Sequence, residues 1–242
     1  MPDLLNNGSL TKLIFGRWYS KPITLGCLPN TLAILSFGSN YNQPLTKDVL
    51  PKSLTSLSLG KEYHSSVVFP SKLQSLQIED LSQLIYLQQL PSSIESIEFR
   101  FIDVGNKASF TFDSMSRHVS SSTIQRLTIY ASADYSCPDY ATSRVVMPKG
   151  GAKAVQQRLI KSSIGLLKST TVKHYRLHTR VKVNMQCFDQ VVDYRMLDDR
   201  NVLCVYKEIG VETIVYKILP LLKRTPKTKI KGVLQSLVKK NT

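Results

Sequence analysis

The sequence has few of the residues and segments that mark secreted, metal-stabilised or membrane-spanning proteins. Its 242 residues include four cysteines and no C-x-x-C pair: Cys27, Cys137, Cys187 and Cys204. We therefore expect no zinc or disulfide framework, but buried free thiols in a reducing compartment. No apolar run approaches the roughly 18 residues of a membrane span. Polar residues interrupt the segment from Met1 to Leu13, which excludes a signal-peptide core. These absences predict an intracellular, cytoplasmic protein with no transmembrane segment.

Groups that catalyse reactions or hold cofactors are also missing from the sequence. The glycine pair at 150–151 lacks the G-x-x-x-x-G-K-[ST] context of a phosphate-binding loop. His174 and His178 have the spacing of a metal pair, but the Arg and Lys residues around them disfavour a cation, so surface or partner-facing histidines are expected. The aspartate pair at 198–199 fits a turn better than a metal site. We predict no catalytic residue, no metal site and no cofactor, and therefore no enzyme.

Positive charge is concentrated in the later part of the chain. Residues 1–150 contain 13 Lys or Arg and 11 Asp or Glu, a net charge of +2. Residues 151–242 contain 19 Lys or Arg and 6 Asp or Glu, a net charge of +13. An anionic partner is therefore expected to favour the later part over the first.

The most informative feature is an internal repeat with a period of about 22 residues. Residues 28–38 read LPNTLAILSFG, and residues 50–60 read LPKSLTSLSLG. Residues 9–16, SLTKLIFG, are an earlier copy, and three weaker copies follow. The shared pattern is apolar-x-x-apolar-x-apolar, in cores near residues 10–16, 32–38, 54–60, 73–78, 94–99 and 124–129. In the three best copies the apolar positions are Leu10, Leu13, Phe15, Leu32, Leu35, Phe37, Leu54, Leu57 and Leu59.

This pattern predicts short parallel strands, stacked coil upon coil. The last two apolar positions are two residues apart, so they share one face of a strand. The glycines that end the cores, Gly16, Gly38 and Gly60, mark a bend where a side chain would clash. In the returning half of each coil an aromatic residue should point inward, and Trp18 is assigned to this slot. The outward row is small and mostly neutral: Lys12 and Ile14, Ile34 and Ser36, Ser56 and Ser58, Ser75 and Gln77, Ser96 and Glu98.

The alternation of LPxSLxxLxFG with NxNQPL resembles the FNIP repeat, a relative of the leucine-rich repeat. The likeness is close over residues 28–60, fair over residues 9–27 and present in outline over residues 69–99. It implies a leucine-rich-repeat-like solenoid that serves as an interaction module. A weaker likeness is to the RxLDxxNxL stretch that follows the repeats in FNIP proteins, matched by Arg195, Leu197, Asp198, Asn201 and Leu203.

The 22-residue period is lost after the sixth core. A Ser-rich insertion at residues 100–121 is expected to form a longer coil or a surface loop. Residues 131–151 are expected to connect two parts of the chain. Apolar residues between Val155 and Leu167 have helical spacing. Apolar residues between Ile230 and Val238 form a second helical stripe flanked by lysines, which would dock on the protein or lie on an anionic membrane.

Between these two helical patterns the residues alternate as in strands. Residues 172–183 place apolar side chains on one face and cationic or imidazole side chains on the other. The second set comprises His174, Arg176, His178, Arg180 and Lys182, and it is the candidate surface for an anion or a partner. Like charges on this face are expected to repel in the free protein. Residues 187–197 and 201–209 are predicted to form a hairpin that turns at residues 198–200.

The expected fold class is α+β, mostly β. A short leucine-rich-repeat-like solenoid with parallel strands would occupy residues 1–130, a boundary segment residues 131–151, and a small basic α+β region residues 152–242. The expected function is that of a non-catalytic repeat scaffold that binds an unknown protein partner. The alternative is that nucleic acid or an anionic membrane surface binds the basic region, through residues 172–240. A steep salt dependence of binding would favour the alternative.

Overall fold

The computed structural model describes ten parts of the chain. They are residues 9–79, 83, 86–87, 90–103, 124–134, 149–169, 172–183, 186–198, 201–208 and 214–220. The chain divides into two compact units. The first holds most of the residues up to Tyr130, and the second holds most of the residues after it. No described helix is both long and apolar enough to cross a membrane.

The first unit is a ladder of short parallel strands, as the repeat predicts. In chain order these are β1 Lys12–Ile14, β2 Ile34–Ser36, β3 Ser56–Ser58, β4 Ser75–Ile78 and β5 Ser96–Asp103. Each strand pairs in parallel with the next, so that Leu13, Leu35, Leu57, Leu76 and Ile97 form one row across the ladder. The predicted parallel-strand architecture is confirmed.

The apolar positions of the repeat form the core of this unit. Leu32, Leu35 and Phe37 of the second coil (residues 31–52) are buried, as are their equivalents in the third coil (residues 53–71). In the first coil (residues 9–30), Leu10, Leu13 and Phe15 are only half-buried. Among the described residues, the first coil has another coil on one side alone, which explains why its apolar residues stay partly exposed.

Stacked aromatic rings form a second column, and Trp18 is not part of it. Tyr19, Tyr41 and Tyr63 stack with ring centroids 6.0 and 6.2 Å apart. Trp18 is instead 74% exposed, so its assignment to the inward slot is wrong. The returning segments begin WY, NY and EY, and it is the second residue of each that points inward. Trp18 therefore stands where the later coils have Asn40 and Glu62.

The glycines that end the strands allow successive coils to approach closely. A Cβ atom added at Gly38 would lie 2.6 Å from Arg17 Cα, and one added at Gly60 would lie 2.8 Å from Ser39 Cα. Both contacts are with backbone, which cannot rotate away as a side chain can. Glycine at these positions is thus a condition of coil stacking.

Repeated hydrogen bonds also tie each coil to the one before it. The backbone N–H groups of Ala33 and Ile34 donate to the Thr11 carbonyl at 2.8 and 3.0 Å. In the next coil, Thr55 and Ser56 donate in the same way to the Ala33 carbonyl. The same pattern recurs between each later pair of successive coils in the ladder. In every case the later coil donates and the earlier coil accepts.

The strand that follows the ladder, β6, spans Arg126–Asp134. Gln125 N and Arg126 N both donate to the Glu95 carbonyl, the same pattern as between earlier coils. Two segments that were predicted to lie outside the strands begin within strands in the structure. β5 runs to Asp103, so residues 100–103 of the predicted insertion lie in a strand. β6 runs to Asp134, so residues 131–134 of the predicted connecting segment lie in a strand as well. The rest of the insertion, residues 104–121, lies outside the described residues.

The described residues of the second unit form one helix and an antiparallel meander. Helix α1 spans Gly151–Ser169, and the strands are β7 His174–Val183, β8 Gln186–Met196, β9 Asn201–Glu208 and β10 Ile214–Pro220. Each of these strands pairs antiparallel with the next. The second helical stripe, between Ile230 and Val238, lies outside the described residues.

The described residues at the two ends of the β8–β9 connection bind each other, while residues 199 and 200 of the predicted turn lie outside the described residues. The Asp198 carboxylate accepts hydrogen bonds from Asn201 N at 2.8 Å and from Asn201 Nδ2. An aspartate that binds backbone in this way favours a turn. The interpretation of Asp198 as a turn residue, and not a metal ligand, fits this geometry.

Candidate interaction surfaces

The outward face of the parallel ladder is small and mostly uncharged. Serines occupy one or both outward positions of β2, β3, β4 and β5. Charge appears near the far end, where Arg100 Nε lies 3.1 Å from Glu98 Oε1. Hydroxyl groups of this kind, without a nearby base, do not make a nucleophile. The described part of this face therefore offers a contact surface and no arrangement for chemistry.

Large exposed apolar side chains are frequent in the first two coils. Trp18 is 74% exposed, Leu25 71%, Ile14 61% and Ile34 40%. The Arg17 guanidinium carbon lies 5.1 Å from the centre of the Trp18 ring, within range of a cation–π contact. Arginine and tryptophan are enriched among the residues that dominate binding energy at protein interfaces. This set of residues has the composition of a protein-binding surface.

Leu25 is exposed because it lies in a tight turn. Cys27 N donates to the Thr24 carbonyl at 3.2 Å, and Gly26 between them has φ +81°. A positive φ at this place requires a residue such as glycine, and the preceding side chain is then presented to solvent. The sequence analysis missed Leu25. The Leu25-Gly26 pair, which lies beyond the repeat core, is the sequence feature that could have indicated a turn with an exposed leucine.

The predicted cationic residues of β7 lie on one face, as their alternation implies. Tyr175, Leu177 and Val181 of β7 are buried, while His174, Arg176 and Arg180 between them are exposed. His178 and Lys182 are half-buried. The structure thus brings the five predicted residues to one side of one strand.

The charge on this face is partly neutralised, which corrects the expectation of repelling like charges. Arg176 binds the Asp193 carboxylate through Nε at 2.6 Å and through its second nitrogen at 3.0 Å. Arg180 binds Asp189 in the same two-point manner, at 2.8 and 3.0 Å. The hydrogen bond with Asp189 raises the pKa of Arg180. The sequence analysis missed these pairs because they depend on the register of β8 against β7.

The same sheet face becomes apolar towards β10. In one row across the sheet, His174 pairs with Arg195, Arg195 with Leu203 and Leu203 with Ile218. Leu203 is half-exposed and Ile218 is exposed. This face therefore combines ion pairs at one edge with apolar side chains at the other.

Among the described residues, the interior of the second unit holds a polar amide and a protonated thiol. Gln156 of α1 donates from Nε2 to the Phe188 carbonyl at 3.0 Å. Burial raises the pKa of the Cys204 thiol to about 12, so it stays protonated and unreactive at neutral pH. Cys187 is exposed and Cys27 is half-buried, so the expectation of buried thiols is right for Cys204 and wrong for Cys187. No three His, Cys, Asp or Glu residues of the described chain gather as metal ligands would.

Comparison with family models agrees with the repeat. The FNIP Repeat family model matches residues 8–39 and 19–62. A similar solved structure is that of CroV588, described as a novel circular LRR protein, with 28% sequence identity and a TM-score of 0.37. That match covers 57% of this chain but 19% of the other, so the chain corresponds to about a fifth of that protein's length. No curated protein matches the sequence. Over residues 8–62, which hold the first two coils and the start of the third, the chain is therefore similar to FNIP repeats.

Proposed function

We propose that the chain is a non-catalytic scaffold that binds a protein partner through its repeat unit. The observation that carries the proposal is the set of exposed apolar side chains in the first two coils, Ile14, Trp18, Leu25 and Ile34. A side chain as large as tryptophan gains free energy when it leaves water, and an aromatic ring also supplies contact area at a low entropic cost.

Two further features support binding over catalysis. The coils are held by backbone hydrogen bonds and stacked rings, which leave the outward face free to vary without loss of the fold. The described outward positions carry mostly small hydroxyl or apolar groups, and their few charged groups, Lys12 and the paired Glu98, are not assembled with a nucleophile. Repeat solenoids present extended surfaces of this kind to partners.

Affinity capture from the native cell tests this proposal. We expect the parent chain to retain a protein partner that survives nuclease treatment and is identified by mass spectrometry. Trp18→Ala and Leu25→Ser should each reduce the retained amount by roughly tenfold or more, the size expected for interface residues that dominate binding. Val68→Ser is the matched control, because Val68 is also exposed but lies in the third coil. Equal retention by all four proteins would contradict the proposal.

The alternative, an anionic partner such as nucleic acid or an anionic membrane surface, rests on the net charge of +13 in residues 151–242. The ion pairs of Arg176 and Arg180 lower the free charge on β7, so the contribution of these two arginines should be modest. Arg195 and Lys207, which are exposed, would have to supply more of the attraction. A titration with RNA, DNA and anionic vesicles at two salt concentrations tests the alternative, because contacts with phosphates give a steep salt dependence. Absence of binding at low salt would exclude it.

A further inference from the structure

Positive charge is concentrated in the first two coils of the repeat unit. Residues 9–52 contain five Lys or Arg and one Asp, a net charge of +4. Residues 53–103, which follow them, contain three Lys or Arg and six Asp or Glu, a net charge of −3. The coils that hold the exposed apolar side chains Ile14, Trp18, Leu25 and Ile34 are thus also the cationic part of the repeat unit.

The five cations of the first two coils are exposed, and none forms an ion pair with a described carboxylate. They are Lys12, Arg17, Lys21, Lys47 and Lys52. The face of β7 is different, because Arg176 and Arg180 there each bind an aspartate. The positive charge of the first two coils is therefore not neutralised within the described part of the chain, and it favours an anionic partner.

Two of the exposed apolar side chains have a cation directly beside them. Ile34 of β2 pairs in register with Lys12 of β1, and both side chains are exposed. The Arg17 guanidinium lies over the Trp18 ring, with its carbon 5.1 Å from the ring centre. A partner side chain that covers either apolar group therefore has a cation within reach of its own neighbours.

Leu25 has a cation beside it as well, because successive coils repeat the same turn. Leu25 and Lys47 are 22 residues apart, and each is followed by a residue with positive φ, +81° at Gly26 and +63° at Asp48. The same backbone hydrogen bond closes both turns, at 3.2 and 3.3 Å. The two residues thus occupy equivalent positions, and the stacking of the coils places them side by side.

An apolar side chain beside a cation is complementary to an apolar side chain beside a carboxylate. Burial of Ile34, Trp18 or Leu25 against an apolar group stabilises a complex because apolar surface leaves water. A carboxylate next to that group would neutralise the adjacent cation, and complementary charges favour one partner over others. A polypeptide that carries Asp or Glu among apolar residues supplies both kinds of group.

The positions of these groups distinguish a polypeptide from other anionic partners. Ile34 lies on the outward face of the ladder, Trp18 follows the end of β1, and Leu25 lies in the turn of the returning half. These are different sides of a coil, so a flat membrane cannot cover all three, whereas an extended chain can follow the coil around. A nucleic acid supplies negative charge, but its sugar–phosphate backbone offers no apolar group to Ile34 or Leu25.

We propose that the first two coils bind an extended segment of another protein in which apolar side chains are interspersed with Asp or Glu. The apolar side chains of the segment contact Ile34, Trp18 and Leu25, and its carboxylates lie beside the adjacent cations. This inference rests on the proposed function and deepens it, because it gives the chemistry of the protein partner. A second copy of this chain would bring a further net charge of +15, so electrostatic repulsion favours a different protein.

Peptide selection tests the chemistry of the partner. A display library of random 16-residue peptides is selected on the parent chain. It is counter-selected on the chain with Trp18→Ala and Leu25→Ser, which discards peptides that bind the basic second unit. Sixteen residues exceed the 14 residues from Lys12 to Leu25, so one extended peptide can reach all three apolar groups. We expect the enriched peptides to combine a net charge of about −3 or lower with two or more large apolar residues.

Paired charge variants show whether the cations of the first two coils recognise those acids. Lys12→Gln with Lys47→Gln should weaken the binding of an enriched peptide by about fivefold or more at low salt, and by less at high salt, because salt screens exposed charges. Fluorescence anisotropy with the labelled peptide measures the change.

The matched control is Lys72→Gln with Arg126→Gln. It removes two exposed positive charges of the same unit from outside the first two coils. This variant should change the affinity by less than about twofold, because neither cation lies beside the three apolar groups. Equal effects of the two paired variants would overturn the inference.

The other outcomes separate this inference from the proposed function. Enriched peptides that are apolar but neutral or basic would overturn the inference and leave the proposed function in place, whereas a counter-selection that leaves no peptide would contradict both. Vesicles of phosphatidylserine and phosphatidylcholine, or an oligouridine RNA, could bind the parent chain but not the chain with Trp18→Ala and Leu25→Ser. That result would identify a membrane or a nucleic acid as the occupant and overturn the inference. A parent chain that sediments as a dimer, and as a monomer after Lys12→Gln with Lys47→Gln, would identify a second copy and overturn it too.

Discussion

In the repeat unit, strands β1 to β4 are three or four residues long, and each pairs with the strand of a coil 19 to 22 residues away. In the second unit, strands of 7 to 11 residues pair with the next strand along the chain. Each short strand makes few hydrogen bonds. The stability of the repeat unit therefore depends on the buried apolar side chains that occupy equivalent positions in successive coils. The longer strands of the second unit make many hydrogen bonds with their neighbours. Their side chains also include ion pairs and buried amides.

The largest effect is expected when a buried apolar side chain of the repeat unit is shortened. Leu35→Ala should lower the free energy of unfolding by about 2–5 kcal/mol, from lost burial and an unfilled cavity, because Leu35 has no exposed surface. Chemical denaturation measures the change. Ser36→Ala, the outward neighbour on the same strand, should change it by no more than about 0.5 kcal/mol. Similar effects of the two substitutions would show that the inward and outward faces are assigned wrongly.

Coil spacing is the second test. Gly38→Ala should destabilise the protein by about 1–3 kcal/mol, the usual cost of an extra methyl group in a packed region. The added methyl group would press on the backbone of Gly16 and Arg17. Thermal unfolding of Gly38→Ala beside Gly16→Ala provides the comparison, since no described atom lies within 4 Å of a Cβ added at Gly16. If Gly38→Ala melted with the parent protein, close stacking would not depend on glycine.

The stacked tyrosines predict an alkaline loss of stability. Burial raises the pKa of Tyr41 from its usual 10.0 to about 12. The folded protein thus keeps a phenol proton that the unfolded chain releases. The contribution to stability is fully present below pH 10 and is lost as the pH rises to about 12, at up to roughly 1.4 kcal/mol per pH unit. Tyr41→Phe should unfold with a shallower pH dependence across this window. Parallel curves for the two proteins would refute the assignment.

The smallest effect is expected from the ion pairs of the second unit. Arg176 and Asp193 are both exposed, and exposed pairs stabilise proteins by about 0–1 kcal/mol. A double-mutant cycle with Arg176→Ala and Asp193→Ala should give a coupling in this range, and it should weaken as salt is added. A coupling of several kcal/mol would mean that the second unit depends on these pairs more than on its apolar interior.

The sequence alone predicts the parallel ladder well, because the same pattern of apolar core positions occurs six times along the chain. Leu13, Leu35 and Leu57 recur at a spacing of 22 residues, which is typical of stacked coils that each contribute one short strand. Trp18 shows the limit of the same reasoning. Two adjacent aromatic residues fit one inward slot, and only the comparison with Asn40 and Glu62 selects Tyr19.

The candidate surfaces were harder to predict. The alternation of residues 172–183 gives the cationic face of β7, but it does not reveal that Asp189 and Asp193 lie opposite Arg180 and Arg176. Pairing of that kind depends on register, which one strand's sequence does not contain. Leu25 is exposed because of a turn, and repeat periodicity carries no information about a residue outside the repeated pattern.

The aromatic column has a consequence for how the molecule interacts with light. Tyr19, Tyr41 and Tyr63 stack in line, and the only tryptophan of the chain, Trp18, is bonded directly to the first of them. Energy absorbed by a tyrosine passes to a nearby indole, so ultraviolet light taken up along the column is emitted largely from the first coil. Because Trp18 is exposed, the colour of that emission depends on the water around the ring. The exposed ring of Trp18 is thus an intrinsic fluorophore that reports both the order of the coils and contacts made at the first coil.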